Sequence, residues 1–437
     1  MYHNKRSAVS TVPNEGPIRV GFIGLSFSKG WALKTHRPAI LQLSSQFVIT
    51  AIYDEDEQMA IGTIEHLKLV HATPFTSLEL FSSFQNVDMI VVSVQASKQY
   101  ELLMPLLEFS KRNSNLRYLF IEWAFASNLR EAEKVYQASA IRGLQTIVAL
   151  QGRKSPYIQR AKELIYENNI GEINSVEISC NACWYGYERP RKFADSMFEM
   201  GSGLDLVTTT FGHTIDLLQY ITGSYFSKIN ALVFNNIPKQ MLVDDLGHPM
   251  GRTSSKTVPD HLLFHGCLKR GNIPVSCTIK GGKPTKKFTK NFIIDIHGTR
   301  GDIKIEGDAG FAEMSNLVLY YSGTRVNDIP VANTNGHSVQ PSLEQGKEFM
   351  EVYHLRNYDA VHGNVFRLYQ SIADFHFNTK NIPNLPSQFI MQGFEFEGFP
   401  TLMDGLIIRR LIDSVYKSNS MGVTLDVSHI LQFPSSV

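Results

Sequence analysis

Short apolar runs rich in β-branched residues recur through the first third of the chain, and segments of helical period separate them. The runs are PIRVGFIGLS from Pro17, then Phe47 to Tyr53, Asp88 to Val94, Arg117 to Glu122 and Thr146 to Leu150. Runs this short, closed by glycine or polar residues, read as buried strands. Between them, positions such as Leu129, Ala132, Val135, Tyr136 and Ala140 fall on one helical face. Strands that alternate with helices need crossover connections, so residues 17–150 are predicted to form a doubly wound parallel sheet, an α/β domain. Past Gln151 the pattern changes. One amphipathic helix, Pro156 to about Asn168, precedes long stretches of strand alternation, from about Ile173 to Tyr187 and through much of Ser224 to Tyr321. Residues 151–437 are therefore expected to form an α+β domain with a large, mostly antiparallel sheet and C-terminal helices. In the last helix Met403, Ile407, Leu411 and Val415 repeat at i+4, a stripe expected to be buried. Residues 1–16 read as a polar, flexible arm and Asn327 to Pro341 as a mobile loop; no internal repeat interrupts the pattern.

Composition narrows the function classes. The 437 residues carry 42 Lys and Arg against 41 Asp and Glu, a net charge of +1. Neither nucleic acid nor an anionic membrane would attract such a chain in bulk. With 43% hydrophobic residues the chain exceeds the size at which one core stops growing, so two or more domains are expected. No run approaches the roughly 20 apolar residues that span a bilayer, and the polar start has no apolar signal segment. The expectation is a soluble, intracellular protein. Four cysteines are too few to staple the chain, as suits a reducing compartment. Cys180 and Cys183 have C-x-x-C spacing but no second nearby pair, so no metal site is expected.

The candidate chemistry lies at predicted strand ends. A strand running into Gly24-Leu25-Ser26-Phe27-Ser28-Lys29-Gly30 and then a helix can turn backbone N–H groups toward a pyrophosphate. The turn keeps the first fingerprint glycine, has Ser26 at the third position and carries its last glycine one place late, at Gly30. A plain tight turn is the alternative. The second strand ends at Asp54, where an acid can bind a ribose 2′-hydroxyl and repel a 2′-phosphate, favouring NAD over NADP. The run Asp54 to Glu57 could equally be the solvated start of a helix. Glu122 and Trp123 leave a third strand at its carboxyl end, as ligand contacts or as structural residues. Tyr185 and Tyr187 sit in the aromatic phrase WYGYERP, which suits a ligand wall or a binding surface, and His213 lies on a predicted helix as a core, capping or site residue. Lys280, Lys283, Lys286, Lys287 and Lys290 make a basic stretch that fits a hairpin tip or an acidic peptide partner.

With the turn at Gly24, the strand end at Glu122, QGRKSPYIQRAKELIYENNIGEI and the His213 helix, the chain resembles the glucose-fructose oxidoreductase/inositol dehydrogenase family, whose first domain is Rossmann-like. Longer phrases, among them LQGRKSPYI, WYGYERP, DLVTTTFGHTID, GGKPTKKFTKN and LPSQFIMQGFEFEGFPTLMDG, are similar to the fungal galactose/lactose regulatory proteins over nearly the full length. The enzymes of the wider family take the sugar proton with a Lys in a Glu-Lys-Pro turn and an Asp four residues before a His. This chain has Glu122-Trp123-Ala124 and Thr209 there, leaving only His213 of the trio. Loss of general acid–base assistance costs about a hundred- to ten-thousand-fold in rate. The resemblance thus implies a repressor, not an enzyme, with no catalytic residue. It would bind and mask the acidic activation domain of the galactose-gene activator, be relieved by a galactokinase-like sensor charged with galactose and ATP, form homodimers, and occupy nucleus and cytoplasm. The same resemblance implies NAD or NADP held by Gly24, Ser26, Lys29, Trp31, Asp54, Ser93, Gln95, Glu122, Trp123 and Arg153, and partner contacts at Tyr185, Tyr187, His213, Lys283 and Lys287. Two features depart from the family's text: Ala182-Cys183, where it usually has glycines, and the acidic run Asp54 to Glu57. An active sugar or polyol dehydrogenase is the alternative reading.

Overall fold

The structure is a computed structural model that describes residues 16–282, 290–309, 314–324, 348–355, 359–378 and 398–432. The expected loop from Asn327 to Pro341, the arm up to residue 15, and Lys283, Lys286 and Lys287 lie outside the described residues.

The first layer follows the alternation of the sequence: β1 (Ile18–Ile23), α1 (Trp31–Lys34), α2 (His36–Gln42), β2 (Phe47–Tyr53), α3 (Glu57–Leu67), β3 (Thr73–Phe75), α4 (Leu78–Ser83), β4 (Met89–Val92), α5 (Ala96–Phe109), β5 (Tyr118–Ile121), α6 (Leu129–Arg142) and β6 (Gln145–Val148). The strands form a six-stranded parallel sheet in the order β3-β2-β1-β4-β5-β6. Every residue of β4 and β5 is buried, because helices cover both faces; this is why those strands read as unbroken apolar runs. The strand order reverses between β1 and β4, which opens a crevice beyond their carboxyl ends.

The second layer contains α7 (Pro156–Tyr166), β7 (Ile173–Ala182), β8 (Glu188–Pro190), α8 (Gly212–Thr222), β9 (Phe226–Phe234), β10 (Lys239–Val243), β11 (Pro249–Ser255), β12 (His261–Leu268), β13 (Ile273–Gly281), β14 (Phe292–Gly298), β15 (Gly301–Gly307), β16 (Val318–Thr324), β17 (Glu348–Tyr353), α9 (Ala360–Asn378), α10 (Leu402–Met421) and β18 (Leu425–Asp426). Nine strands form one sheet in the order β17-β16-β15-β14-β7-β13-β12-β9-β18, in which only the β7–β13 pair is parallel. One face of this sheet packs against α7, α8 and α10, whose Ile407, Leu411 and Val415 are buried as the stripe predicts, while Met403 is only half-buried. Along β12 and β13 alternate residues face the core (Leu262, Phe264, Val275, Cys277, Ile279), the period of a sheet with one covered face. Strands β8, β10 and β11 make a separate three-stranded sheet.

Chain order groups α9 with the second domain, yet its Val365, Leu368, Tyr369, Ile372 and Ala373 pack with Val20, Phe22, Phe47 and Phe120 of the first sheet. The start of α10 joins the two layers. Thr401 and Asp404 form a reciprocal cap, and Val148 at the end of β6 donates to Pro400 O at 3.0 Å.

Candidate functional site

The glycine turn after β1 is built for close approach. Gly24 has φ +89°, and a Cβ there would lie 2.3 Å from Ser93 O at the end of β4, so only glycine fits. Ser93 N in turn donates to Ile23 O at 2.9 Å. Past this contact the turn opens: Gly30 has φ +119° with nothing near its Cα, Lys29 is exposed, and Ser26 Oγ accepts from Ser28 N at 3.3 Å. Gln95 follows Ser93 at the start of α5, and Asp54 follows β2, half-exposed. The acidic run starts a helix, and Asp54 lies just ahead of it. Asp56 caps α3, accepting from Gln58 N at 2.9 Å, while Asp54 stays at the strand end and accepts from Asp56 N at 3.0 Å.

Glu122 is the centre of a linked group at the end of β5. Its Oε1 accepts from Trp31 Nε1 at 3.0 Å and pairs with His36 Nε2 at 2.5 Å; His36 Nδ1 lies 2.8 Å from the hydroxyl of Tyr369 on α9. His36 and Tyr369 are fully buried, and burial pushes the Tyr369 hydroxyl well above its ordinary range. Nδ1 of His36 and the Tyr369 hydroxyl share one hydrogen bond, while Nε2 donates to the Glu122 carboxylate, which can only accept. Gln99 ties the neighbouring strand ends together, giving its amide N–H groups to Val94 O and Glu122 O and accepting from Ala126 N. Nothing in the sequence pattern marked His36, Gln99 or Tyr369. Most of their partners are distant in the chain, and each resembles an ordinary helix residue.

Trp123 turns toward the second domain. Its indole N–H donates to Thr208 O at 2.9 Å within a π-helical turn, Val207–Phe211, that runs into α8. The ring lies against Gly212, where a Cβ would come within 2.9 Å of it, and stands edge-on to His213 at 6.1 Å between centroids. His213 is buried, and burial pushes its pKa down to about 4. Thr209 donates to Asp205 O at 2.8 Å and lies 3.1 Å from the hydroxyl of Tyr185, which itself donates to Leu204 O at 2.7 Å. Neither Thr209, engaged in this network, nor neutral His213 is an effective base near pH 7.

Arg153, in the turn after β6, is committed to side chains of the second domain. It is 2% exposed, its guanidinium meets Asp216 at 2.6 Å and Asp404 at 3.0 Å, and it lies over the Tyr220 ring. The end of β6 is thereby pinned to α8 and α10. Tyr187 is 74% exposed on the far side of the aromatic phrase, whereas Tyr185 is buried. The structure thus places Gly24, Ser26, Lys29 and Trp31 on the turn and helix after β1, Asp54 after β2, Ser93 and Gln95 after β4, and Glu122 and Trp123 after β5, all at the carboxyl edge of one sheet; Arg153, after β6, meets two carboxylates instead. This crevice fits a dinucleotide: a close glycine turn opens onto it, and the second oxygen of Glu122 has no partner among the described residues.

Known proteins bear out this architecture. Residues 18–150 match the oxidoreductase family with the NAD-binding Rossmann fold, and residues 156–307 match the Gal80p C-terminal domain. The galactose/lactose metabolism regulatory protein GAL80 of Saccharomyces cerevisiae is 66% identical over 433 residues, covering 99% of this chain and all of that one. The Kluyveromyces lactis protein of the same name is 52% identical, with 99% of this chain and all of that one covered. Crystal structures of two super-repressor mutants of the Saccharomyces cerevisiae Gal80p, E351K and G301R, superpose with TM-scores of 0.87 and 0.85 at 62% identity, covering 96% and 95% of this chain and all of each. On identity that holds from end to end, and on a first domain that matches the oxidoreductase fold, the chain belongs to the galactose/lactose metabolism regulatory proteins.

Proposed function

We propose that the chain represses galactose genes by binding and masking the acidic activation domain of the pathway activator, and that a galactokinase-like sensor charged with galactose and ATP relieves it. It holds NAD or NADP without turning it over. The observation that carries this reading is the seat of Trp123. Its indole, which has no basic nitrogen, fills the space beside Gly212 and His213 where a sugar would need a proton acceptor. A bound nicotinamide would supply hydride chemistry. The residues around it here bind and orient through Gly24, Ser26, Lys29, Trp31, Asp54, Ser93, Gln95 and Glu122, and none of them is arranged to remove a hydroxyl proton.

Further features support the partners. An acidic amphipathic helix suits a cleft with apolar walls and nearby lysines. The outer face of the large sheet exposes Leu232 and Leu263, neighbours across β9 and β12, together with Phe234, Met350 and Val352, a face that suits a homodimer. The two super-repressor relatives are altered at a Gly numbered 301 and a Glu numbered 351 in that protein, and this chain has the same residue types at the same numbers. Glu351 is exposed on β17, and a side chain at Gly301 would come 2.4 Å from Ser322 O, forcing β15 from β16. We place the action of the sensor at this edge. The repressor would work in the nucleus and also be present in the cytoplasm.

A pull-down with the activator's acidic segment, repeated with sensor, galactose and ATP, tests the reading: capture is expected in the first and release in the second. No capture refutes it. Turnover of NAD(P)+ with any member of a sugar and polyol panel would favour the dehydrogenase instead.

A further inference from the structure

The dinucleotide crevice is asymmetric in charge. In an open sheet of order 3-2-1-4-5-6 one mononucleotide half lies over each side of the switch point, and the glycine turn and Asp54 belong to the β1–β2 side. The ring-bearing half of a nicotinamide dinucleotide therefore lies over the ends of β4, β5 and β6. There the structure presents a carboxylate beside an indole: Glu122, with Trp31 bonded to it.

Three observations leave one oxygen of the Glu122 carboxylate available to a ligand. Both printed partners, Trp31 Nε1 and His36 Nε2, use the same oxygen, Oε1. His36, held by Tyr369 through its other nitrogen, donates to that same oxygen and leaves the second one open. The basic residues nearest in sequence to the end of β6 are committed elsewhere: Arg153 to Asp216 and Asp404, and Lys154 to Gly398 O. The Glu122 side chain is only 12% exposed, so water screens its field weakly.

Oxidised and reduced nicotinamide differ in one way that such a site reads directly. The oxidised ring is a cation; the reduced dihydropyridine ring is neutral. A carboxylate attracts the first. We propose that this crevice selects the oxidised, cationic-ring form of the dinucleotide over the reduced form, with Glu122 as the discriminating charge. In a protein that does not interconvert the two, occupancy then follows the ratio of oxidised to reduced dinucleotide around it. The inference rests on the dinucleotide reading above and adds the ligand's redox state to it.

The test is titration of the purified full-length chain with NAD+, NADH and ADP-ribose, which lacks the ring, by calorimetry. NAD+ is expected to bind about tenfold more tightly than NADH, a difference of about 1.4 kcal/mol. Glu122→Gln keeps an acceptor for Trp31 and His36 and removes the charge. It should weaken NAD+ about tenfold, leave ADP-ribose within twofold, and bring the NAD+ to NADH ratio near one. Equal affinities of the wild-type chain for NAD+ and NADH, or a Glu122→Gln variant that loses both equally, overturns the inference while the dinucleotide reading stands. Failure of all three ligands to bind overturns both. The wild-type comparison decides the matter even if the variant does not fold.

Discussion

Replacing Trp123 measures how firmly the former substrate space is filled. Truncating a fully buried Trp to Ala typically costs about 3–5 kcal/mol through lost burial and the cavity left behind. Trp123 is half-buried, so the packing loss falls near the lower end, about 2–3 kcal/mol. The hydrogen bond to Thr208 O adds about 1 kcal/mol. Trp123→Ala should therefore lose about 3–4 kcal/mol. Trp123→Phe retains a ring against Gly212 and His213 but no N–H, and should lose about 1–2 kcal/mol. Urea unfolding followed by tryptophan fluorescence and circular dichroism reads both, as a fall in midpoint at unchanged slope. Opening the space supplies no base, so neither variant should oxidise a sugar. A Trp123→Ala midpoint equal to wild type, or a Phe variant as damaged as the Ala variant, would refute the claim that the indole is a packed and bonded plug. Sugar-dependent NADH formation by Trp123→Ala would refute the mechanistic half.

Other expectations follow from the same geometry. Trp31→Ala removes an indole that Glu122 holds over the crevice and should weaken NAD+ at least tenfold in the calorimetric titration; unchanged affinity would misplace the ligand. Asp216→Asn leaves the buried Arg153 short of a charge and should cost about 3–5 kcal/mol in urea unfolding, more than Asp404→Asn at the better exposed partner. The buried His213, its pKa lowered to about 4 against an ordinary 6.5, is protonated in the unfolded chain first. Its contribution is intact above about pH 6.5 and is lost as pH falls toward 4, roughly 3 kcal/mol in all. His213→Gln should flatten that part of the stability profile, and an unchanged profile would contradict the assignment.

What the sequence showed depended on whether an element carries its own local signal. β2 was legible residue for residue, since seven apolar and β-branched positions are bounded by polar ones. The start of α7 was legible too, because Pro156 sits at its first turn. β3 was not: three residues, Thr73-Pro74-Phe75, two of them exposed, form a short edge strand with no periodicity to detect. At the site the glycine turn and Glu122 were readable from their places after strands. The Arg153 pairs were not readable, because a cation near a strand end gives no local sign of two carboxylates 63 and 251 positions away. The His36–Tyr369 pair spans 333 positions, and no local pattern reports such a contact.

The seat of α9 on the first sheet bears on how this protein can evolve and be dissected. Five of its side chains seal a face that includes Phe22, Phe47 and Phe120, and burial of that extent is worth about 10 kcal/mol, comparable to the stability of a whole domain. A fragment ending near residue 150 would present that greasy wall to water and should aggregate. The nucleotide-binding half is therefore not a detachable cassette: recombination that swaps it must carry the distant C-terminal helix along, and premature stop codons before residue 360 should unmake both ends of the protein at once.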